Sequence, residues 1–314
     1  MRWIFLILVL FYQSKAYALI CDSSQNPFFY YQHSQNESEG CEIFDELTSV
    51  AHFVDSLIPF ERKISAYVED SSFIQTRFDE GGGIFLQKRF IVGGHEQSLQ
   101  ISRGLWAHEL AHWAFFDQLA KYHPDFLKLK DTSTSLRSAI DTVHMLVEQE
   151  AADSDFTNPE LLYEKANKQF YDFRFRRYKI IKLLLPFAEL HADVIAALYS
   201  DDLDIIEKVF TAPVIDALSI SKARARSFSR KVDSDNWGNE PYQVKAHSYF
   251  TPTRSFLGST YLKDLKNAEQ KASFTENLTH LFCQYIVQLW NDSKNLENPS
   301  QDNKQFIKYL QNHL

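Results

Sequence analysis

Apolar residues recur at helical spacing between Ile43 and Leu57, where Ile43, Leu47, Val50, Ala51, Val54 and Leu57 fall on one face. The stretch before it, residues 19–41, is polar and carries no period. Two runs that read as strands follow, Phe73 to Phe78 and the Phe- and Ile-rich Ile84 to Val92. Asp79-Glu80-Gly81-Gly82-Gly83 between them is turn sequence, so a hairpin is predicted, ended by Gly93-Gly94. Beyond it the spacing predicts helices. One runs from a cap at Ser102 to about Tyr122, with a stop near Pro124, and a second from Leu136 to Ala152. Leu161 to Tyr199 holds one or two more, interrupted at Pro186, and Asp204 to Leu218 and Leu262 to Trp290 complete the set. Asp233 to Thr253, with Gly238, Pro241 and Pro252, reads as loop. The pattern predicts an α+β protein, predominantly α-helical, with a small N-terminal sheet and a helical remainder.

The N-terminus changes the picture of where this fold works. Arg2, the apolar run Trp3 to Tyr12 and the small-residue pattern Ala16-Tyr17-Ala18 have the layout of a signal peptide over residues 1–18. The apolar run is shorter than the roughly 20 residues a membrane span requires. Cleavage after Ala18 would leave 19–314 as a single domain in the periplasm or outside the cell. About 43–125 would form its sheet and first site helix, and about 126–314 its helical part. Export implies an oxidising compartment, in which Cys21 and Cys41 can pair. Cys283, in the apolar run Leu281-Phe282-Cys283, reads as a small buried residue, and no CxxC occurs.

Composition narrows the function classes. The chain is 45% hydrophobic and 24% charged, as ordinary globular proteins are. Its 26 Phe and 15 Tyr predict an aromatic-rich core. Formal net charge is −8, and removing Arg2 and Lys15 with residues 1–18 gives −8 − 2 = −10. An acidic surface of this kind has no use for phosphate backbones, so no nucleic-acid partner is expected. The basic-aromatic stretch Phe170 to Lys179 can be read as an amphipathic helix with its rings inward, or as a peripheral contact with an anionic membrane.

The chemistry concentrates in His108-Glu109-Leu110-Ala111-His112, an HExxH sequence. On a helix, residues four apart lie about 40° apart and ~6 Å along the axis, so both imidazoles can reach one zinc ion. Glu109 sits about 100° further round, placed to take a proton from water as general base. A catalytic zinc requires a third protein ligand. Glu189 and Asp193 lie four apart in the otherwise apolar Phe187 to Leu198, where a carboxylate is costly unless paired or metal-bound. Glu189 is read as the third ligand, and Asp193 as the group orienting a ligand histidine through its other ring nitrogen. His144, Glu148, Glu150 and His191 are rivals for the third position. Gly104 is expected to allow close packing near the first histidine.

HELAH followed by ELHAD resembles the HExxH…ExxAD signature of the gluzincin metallopeptidases, in the branch that includes HtpX and the prenyl-protein (CAAX) endopeptidases. The resemblance spans about residues 65–260 and is specific in the two motifs. It implies a zincin-like fold and one Zn²⁺ held by His108, His112 and Glu189. The Gly81-Gly82-Gly83 turn sits where that branch has a Gly-rich turn and a strand that pairs with extended substrate. A later histidine and arginine of the branch would correspond to His247 and Arg254. His247 would then stabilise the oxyanion and Arg254 buttress the acids. Proline does not directly follow His247 here, and Tyr249 is an alternative oxyanion donor. The integral members' multiple membrane spans are missing.

The expected activity is therefore hydrolysis of peptide bonds in a peptide or protein substrate by an exported zinc peptidase. The alternatives are a non-catalytic, zinc-stabilised binding module of the cell envelope and a zinc hydrolase acting on a non-peptide bond. The intact Glu109 argues for turnover, since a purely structural site has no use for a base.

Overall fold

A computed structural model describes residues 26–33, 37–69, 77–79, 83–87, 91–92, 95–96, 99–148, 159–211 and 217–314. Residues 1–18, expected to be a signal peptide, Cys21, the Cys41 side chain and the tip of the glycine turn lie outside the described residues. The fold is α+β and mostly helical.

Strand β1 (Phe29–His33), helix α1 (Glu37–Leu57) and strand β2 (Ile64–Glu69) open the fold. Strands β3 (Arg77–Asp79) and β4 (Gly83–Gln87) follow, and β5 (Ile91–Val92) with β6 (His95–Glu96) forms a separate two-stranded ribbon. The main sheet runs in the order β1-β2-β4-β3. Phe29 pairs with Ile64 and Ala66 with Ile84 in parallel, while Phe78 pairs with Ile84 antiparallel. The predicted hairpin therefore exists among the described residues as β3 and β4. The sequence reading missed β1 and β2, whose parallel partners lie far away in the chain. Strand alternation sends Ile64 and Ala66 into the core. On the opposite face Tyr67 and Phe85 stack at 4.8 Å, with the Arg137 guanidinium 4.4 Å from the Tyr67 ring. Strand β3 is an edge strand of this sheet among the described residues.

Helix α1 buries most of the predicted stripe: Leu47, Val50, Ala51, Val54 and Leu57 are buried, Ile43 is half-buried, and its neighbour Phe44 is fully buried. Each larger side chain among them is worth about 1.5–3 kcal/mol in apolar surface removed from water. Helices α2 (Leu99–Leu119), α3 (Pro124–Glu148), α4 (Pro159–Asp172) and α5 (Arg174–Ser200) come next. Ser102 lies inside α2, buried, and does not cap it. Pro124 starts α3, as a residue lacking an N–H can at a first helical position. The break between α4 and α5 falls at Phe173, and Pro186 sits inside α5. Flanking burial of Leu183, Leu184, Phe187 and Leu190 carries the helix through the lost backbone bond.

Helices α2 and α5 form the principal helix pair. Both carry fully buried alanines: Ala107, Ala111 and Ala114 on α2, and Ala188, Ala192 and Ala196 on α5. Such small side chains permit close axes. Gly104, one turn before His108, allows close packing as expected. A Cβ there would lie 2.5 Å from Ile205 Cγ1, so the glycine admits the start of α6 (Ile205–Thr211).

Helices α7 (Ala217–Arg224), α8 (Ala246–Tyr249), α9 (Thr251–Thr260), α10 (Ala268–Asn291) and α11 (Pro299–His313) complete the described chain. The stretch expected to be loop, 233–253, contains a 3₁₀ turn at Pro241–Val244, then α8 and the start of α9. Helix α10 starts later than expected, capped by Asn267, whose side chain accepts the Gln270 N–H. Helix α11 escaped the sequence reading because only Phe306 and Leu310 carry its large buried apolar contact. These join the aromatic core around Phe187, Phe250, Phe282 and Tyr285. Cys283 is buried and unpaired there. Among the described residues, no helix is long and apolar enough to cross a membrane.

Candidate metal centre

The two motifs meet where α2 crosses α5. His108, His112 and Glu189 form a buried group whose donor atoms converge and could hold a metal ion. His108 Nε2 lies 3.0 Å from His112 Nε2 and 3.5 Å from Glu189 Oε2. His112 Nε2 lies 3.6 Å from Glu189 Oε1. Four donors placed tetrahedrally about 2.0–2.1 Å from an ion would be about 3.3 Å apart. The three observed distances bracket that value, with Glu189 turning Oε2 to His108 and Oε1 to His112. The donor chemistry and these spacings fit a metal ion.

Each donor is fixed by its element. The two histidines project from one face of α2 because they are four residues apart. Phe78 of β3 lies against this face, its ring 6.5 Å from that of His112 and nearly parallel to it. Behind His108, Asp193 Oδ1 stands 3.1 Å from Nδ1, the nitrogen turned away from the donor cluster. A carboxylate there favours the tautomer that leaves Nε2 free for an ion. Asp193 is fully buried and also holds the buried Arg254, whose Nε lies 2.8 Å from Oδ2.

Glu109 is buried beside the cluster but outside the three converging donors. Its Oε2 accepts the backbone N–H of Phe78 at 2.7 Å. That N–H points away from β4, so the outer edge of β3 faces the glutamate. Burial pushes the Glu109 carboxyl up to about 7; the nearby Glu189 charge adds to this, while His108 and the Phe78 N–H oppose it. A carboxyl poised near neutrality can both take and return a proton.

The charges around the donors are closely balanced. Burial opposes a charge on His108, but the Asp193 and Glu189 carboxylates outweigh it and hold the imidazole up at about 9. Burial drives His112 down to about 3. Glu189 and Asp193 stay well below the usual carboxylate range despite burial, because cationic neighbours favour their ionised forms. A proton on His108 must leave before an ion can bind. Below about pH 9 the proton competes and above it does not. Apparent metal affinity should therefore climb with pH, by about tenfold per unit, and level off near pH 9. Chelator-buffered titrations across that range measure this, and a flat profile would show that His108 carries no competing proton.

The other sequence candidates are sorted by position. His247, at the mouth and with 58% of its side chain exposed, places Nε2 3.3 Å from Glu189 Oε1. Arg254 reaches Asp193 alone of the two motif acids. Tyr249 is not brought to the cluster: its hydroxyl donates to Asp302 at 2.5 Å, at the start of α11. His191 faces the core, its Nε2 2.9 Å from Thr279 Oγ1 and its ring 4.7 Å from that of Phe115. The side chains of His144 and Glu148, and Glu150 altogether, lie outside the described residues.

No protein-family model, curated protein or solved structure matches the chain. What the site can do therefore rests on the geometry of the cluster.

Sequence reasoning missed two participants. One is the Phe78 N–H, a main-chain group that no residue type announces. The other is Arg226, buried against Glu189 and Asp193. Its signal was available: two carboxylates in one apolar helix face call for more countercharge than Arg254 supplies, and Lys222 to Lys231 is rich in basic residues.

Proposed function

We propose that the protein is a zinc-dependent peptidase of gluzincin type, exported to the periplasm or secreted. The observation that carries the reading is the convergence of His108, His112 and Glu189 next to a buried Glu109 whose proton affinity is tuned to near neutrality. Two imidazoles, one carboxylate and no thiolate form a donor set suited to zinc. Three protein donors leave a fourth position for chemistry. When bound, zinc would polarise a carbonyl and acidify water.

The chain's own residues supply the rest. Glu109 accepts a proton from water and returns it to the leaving amine. Asp193 keeps His108 in the tautomer a ligand requires. His247, whose Nε2 lies 3.3 Å from Glu189 Oε1, would donate to the oxyanion as the carbonyl is attacked. Strand β3 is the edge strand of the sheet beside Glu109, where an extended substrate would pair, which favours a peptide over other substrates. The zincin-like arrangement of edge strand, HExxH helix and glutamate helix supports the same reading.

The direct test is hydrolysis of a mixed peptide library, with metal content measured on the same sample before and after chelation. Cleavage lost with the metal and regained with added zinc is the expected result. Metal without any cleavage would instead favour the binding-module alternative. Export is tested separately: N-terminal sequencing of the mature protein should begin at Leu19, and a membrane-bound product that keeps Met1 would overturn it.

A further inference from the structure

We propose that Arg226 is a positioning residue of the metal centre, which clamps Glu189 to Asp193 and so presents the third ligand to the ion. The inference rests on the metal-centre reading. Glu189 and Asp193 are four residues apart on α5 and both buried, so they repel one another in a setting where water cannot screen them. Arg254 relieves Asp193 only. Among the described residues, Arg226 is the one arginine or lysine within ion-pair distance of Glu189.

Its geometry is that of a bridge. Nε donates to Asp193 Oδ2 at 3.1 Å, and Nη2 lies 2.5 Å from Asp193 Oδ1 and 3.1 Å from Glu189 Oε2. The same Nη2 is 3.3 Å from His108 Nε2. One guanidinium therefore joins the third donor to the carboxylate behind the first. By engaging Oε2 it leaves Oε1, which faces His112 and His247, as the freer ligand atom. A lysine ammonium lacks the planar fork needed to span both acids.

The surrounding chain is built to hold Arg226 in place. The Thr251 hydroxyl donates to the Ala225 carbonyl at 2.5 Å, and the Phe228 N–H to Leu203 O at 3.0 Å. Ser227 and Ser229 both donate to Asp204. Gly258 lets this segment approach α9: a Cβ there would lie 2.1 Å from the Phe228 carbonyl oxygen. Phe210 of α6 covers the guanidinium, its ring centre 5.5 Å away. Such close fixing suits a residue whose task is orientation.

The test compares wild type, Arg226→Ala and Arg226→Lys in zinc affinity and in ion-free stability. Arg226→Ala should bind zinc about 10–100-fold more weakly. Added methylguanidinium should restore part of that loss, which general damage to the fold would not allow, and Arg226→Lys should recover less than the guanidinium does. In the ion-free protein Arg226→Ala should lower Tm by roughly 6–10 °C. Glu189→Gln in the same chain should recover most of that drop, because it removes the charge left unpaired. Unchanged zinc affinity in Arg226→Ala, or additive Tm effects of the two substitutions, would overturn the clamp. If wild type itself took up no zinc, the metal-centre reading would fail and the positioning role with it. The ion-free cycle would then still report whether Arg226 and Glu189 are coupled, so the two failures are distinguishable.

Discussion

Replacing Glu109 by Gln should cost about 10²–10⁴-fold in kcat on a peptide substrate while zinc stays bound one ion per chain. The prediction follows from how little else the change disturbs. A glutamine in this place would keep the volume of the side chain, and its carbonyl oxygen can still accept the Phe78 N–H that ties β3 to α2. The amide cannot take a proton. Loss of a buried carboxyl near Glu189 also removes a repulsion, so the variant should be no less stable than wild type. Turnover in Glu109→Gln equal to wild type would eliminate Glu109 as the base. Loss of zinc would make it a ligand, against its position outside the three converging donors.

The donor triad was legible in the sequence because helix geometry and electrostatics constrain it. Residues four apart on a helix must share a face, and a glutamate among Phe187, Leu190 and Val194 must find compensation once that face is buried. Both arguments are local, and both hold in the fold. The helix break at Phe173 was harder to read. By residue type Pro186 is the natural interruption, but packing on either side of it carries the helix through. Tertiary burial outweighed one lost backbone hydrogen bond.

Non-local pairing was the main blind spot. Strands β1 and β2 have neighbours separated by a helix, and nothing in Phe29 to His33 announces Ile64 to Val68 as its partner. The same holds for Arg226, which comes 33 residues after Asp193 and reaches it from an irregular segment. Gly258 shows the limit at its sharpest. Its reason for being glycine is the Phe228 carbonyl oxygen, a single backbone atom from elsewhere in the chain. Periodicity reports which face is buried but not what lies across from it.

Substituting the site residues one at a time should rank them in opposite orders for metal and for stability. His108→Ala, His112→Ala and Glu189→Ala each remove a donor, and each should abolish zinc binding and activity together. Asp193→Asn leaves all three donors and should weaken zinc by about 10–100-fold without abolishing it. Its effect on the ion-free fold should be the larger one. Asp193 is fully buried and meets two buried guanidiniums, Arg226 and Arg254, as well as His108. Neutralising it leaves cationic charge without its partner in a low-dielectric interior, which costs about 3–5 kcal/mol. His112 is held neutral by burial, so His112→Ala strands no charge, and it should cost the ion-free protein less than Asp193→Asn. Denaturant unfolding of the ion-free variants, set beside their zinc affinities, measures both orders on the same proteins. An Asp193→Asn protein as stable as wild type would refute the placement of Asp193 as the common counter-ion of both arginines. One that lost zinc as completely as His112→Ala would make Asp193 a ligand in place of the residue behind one.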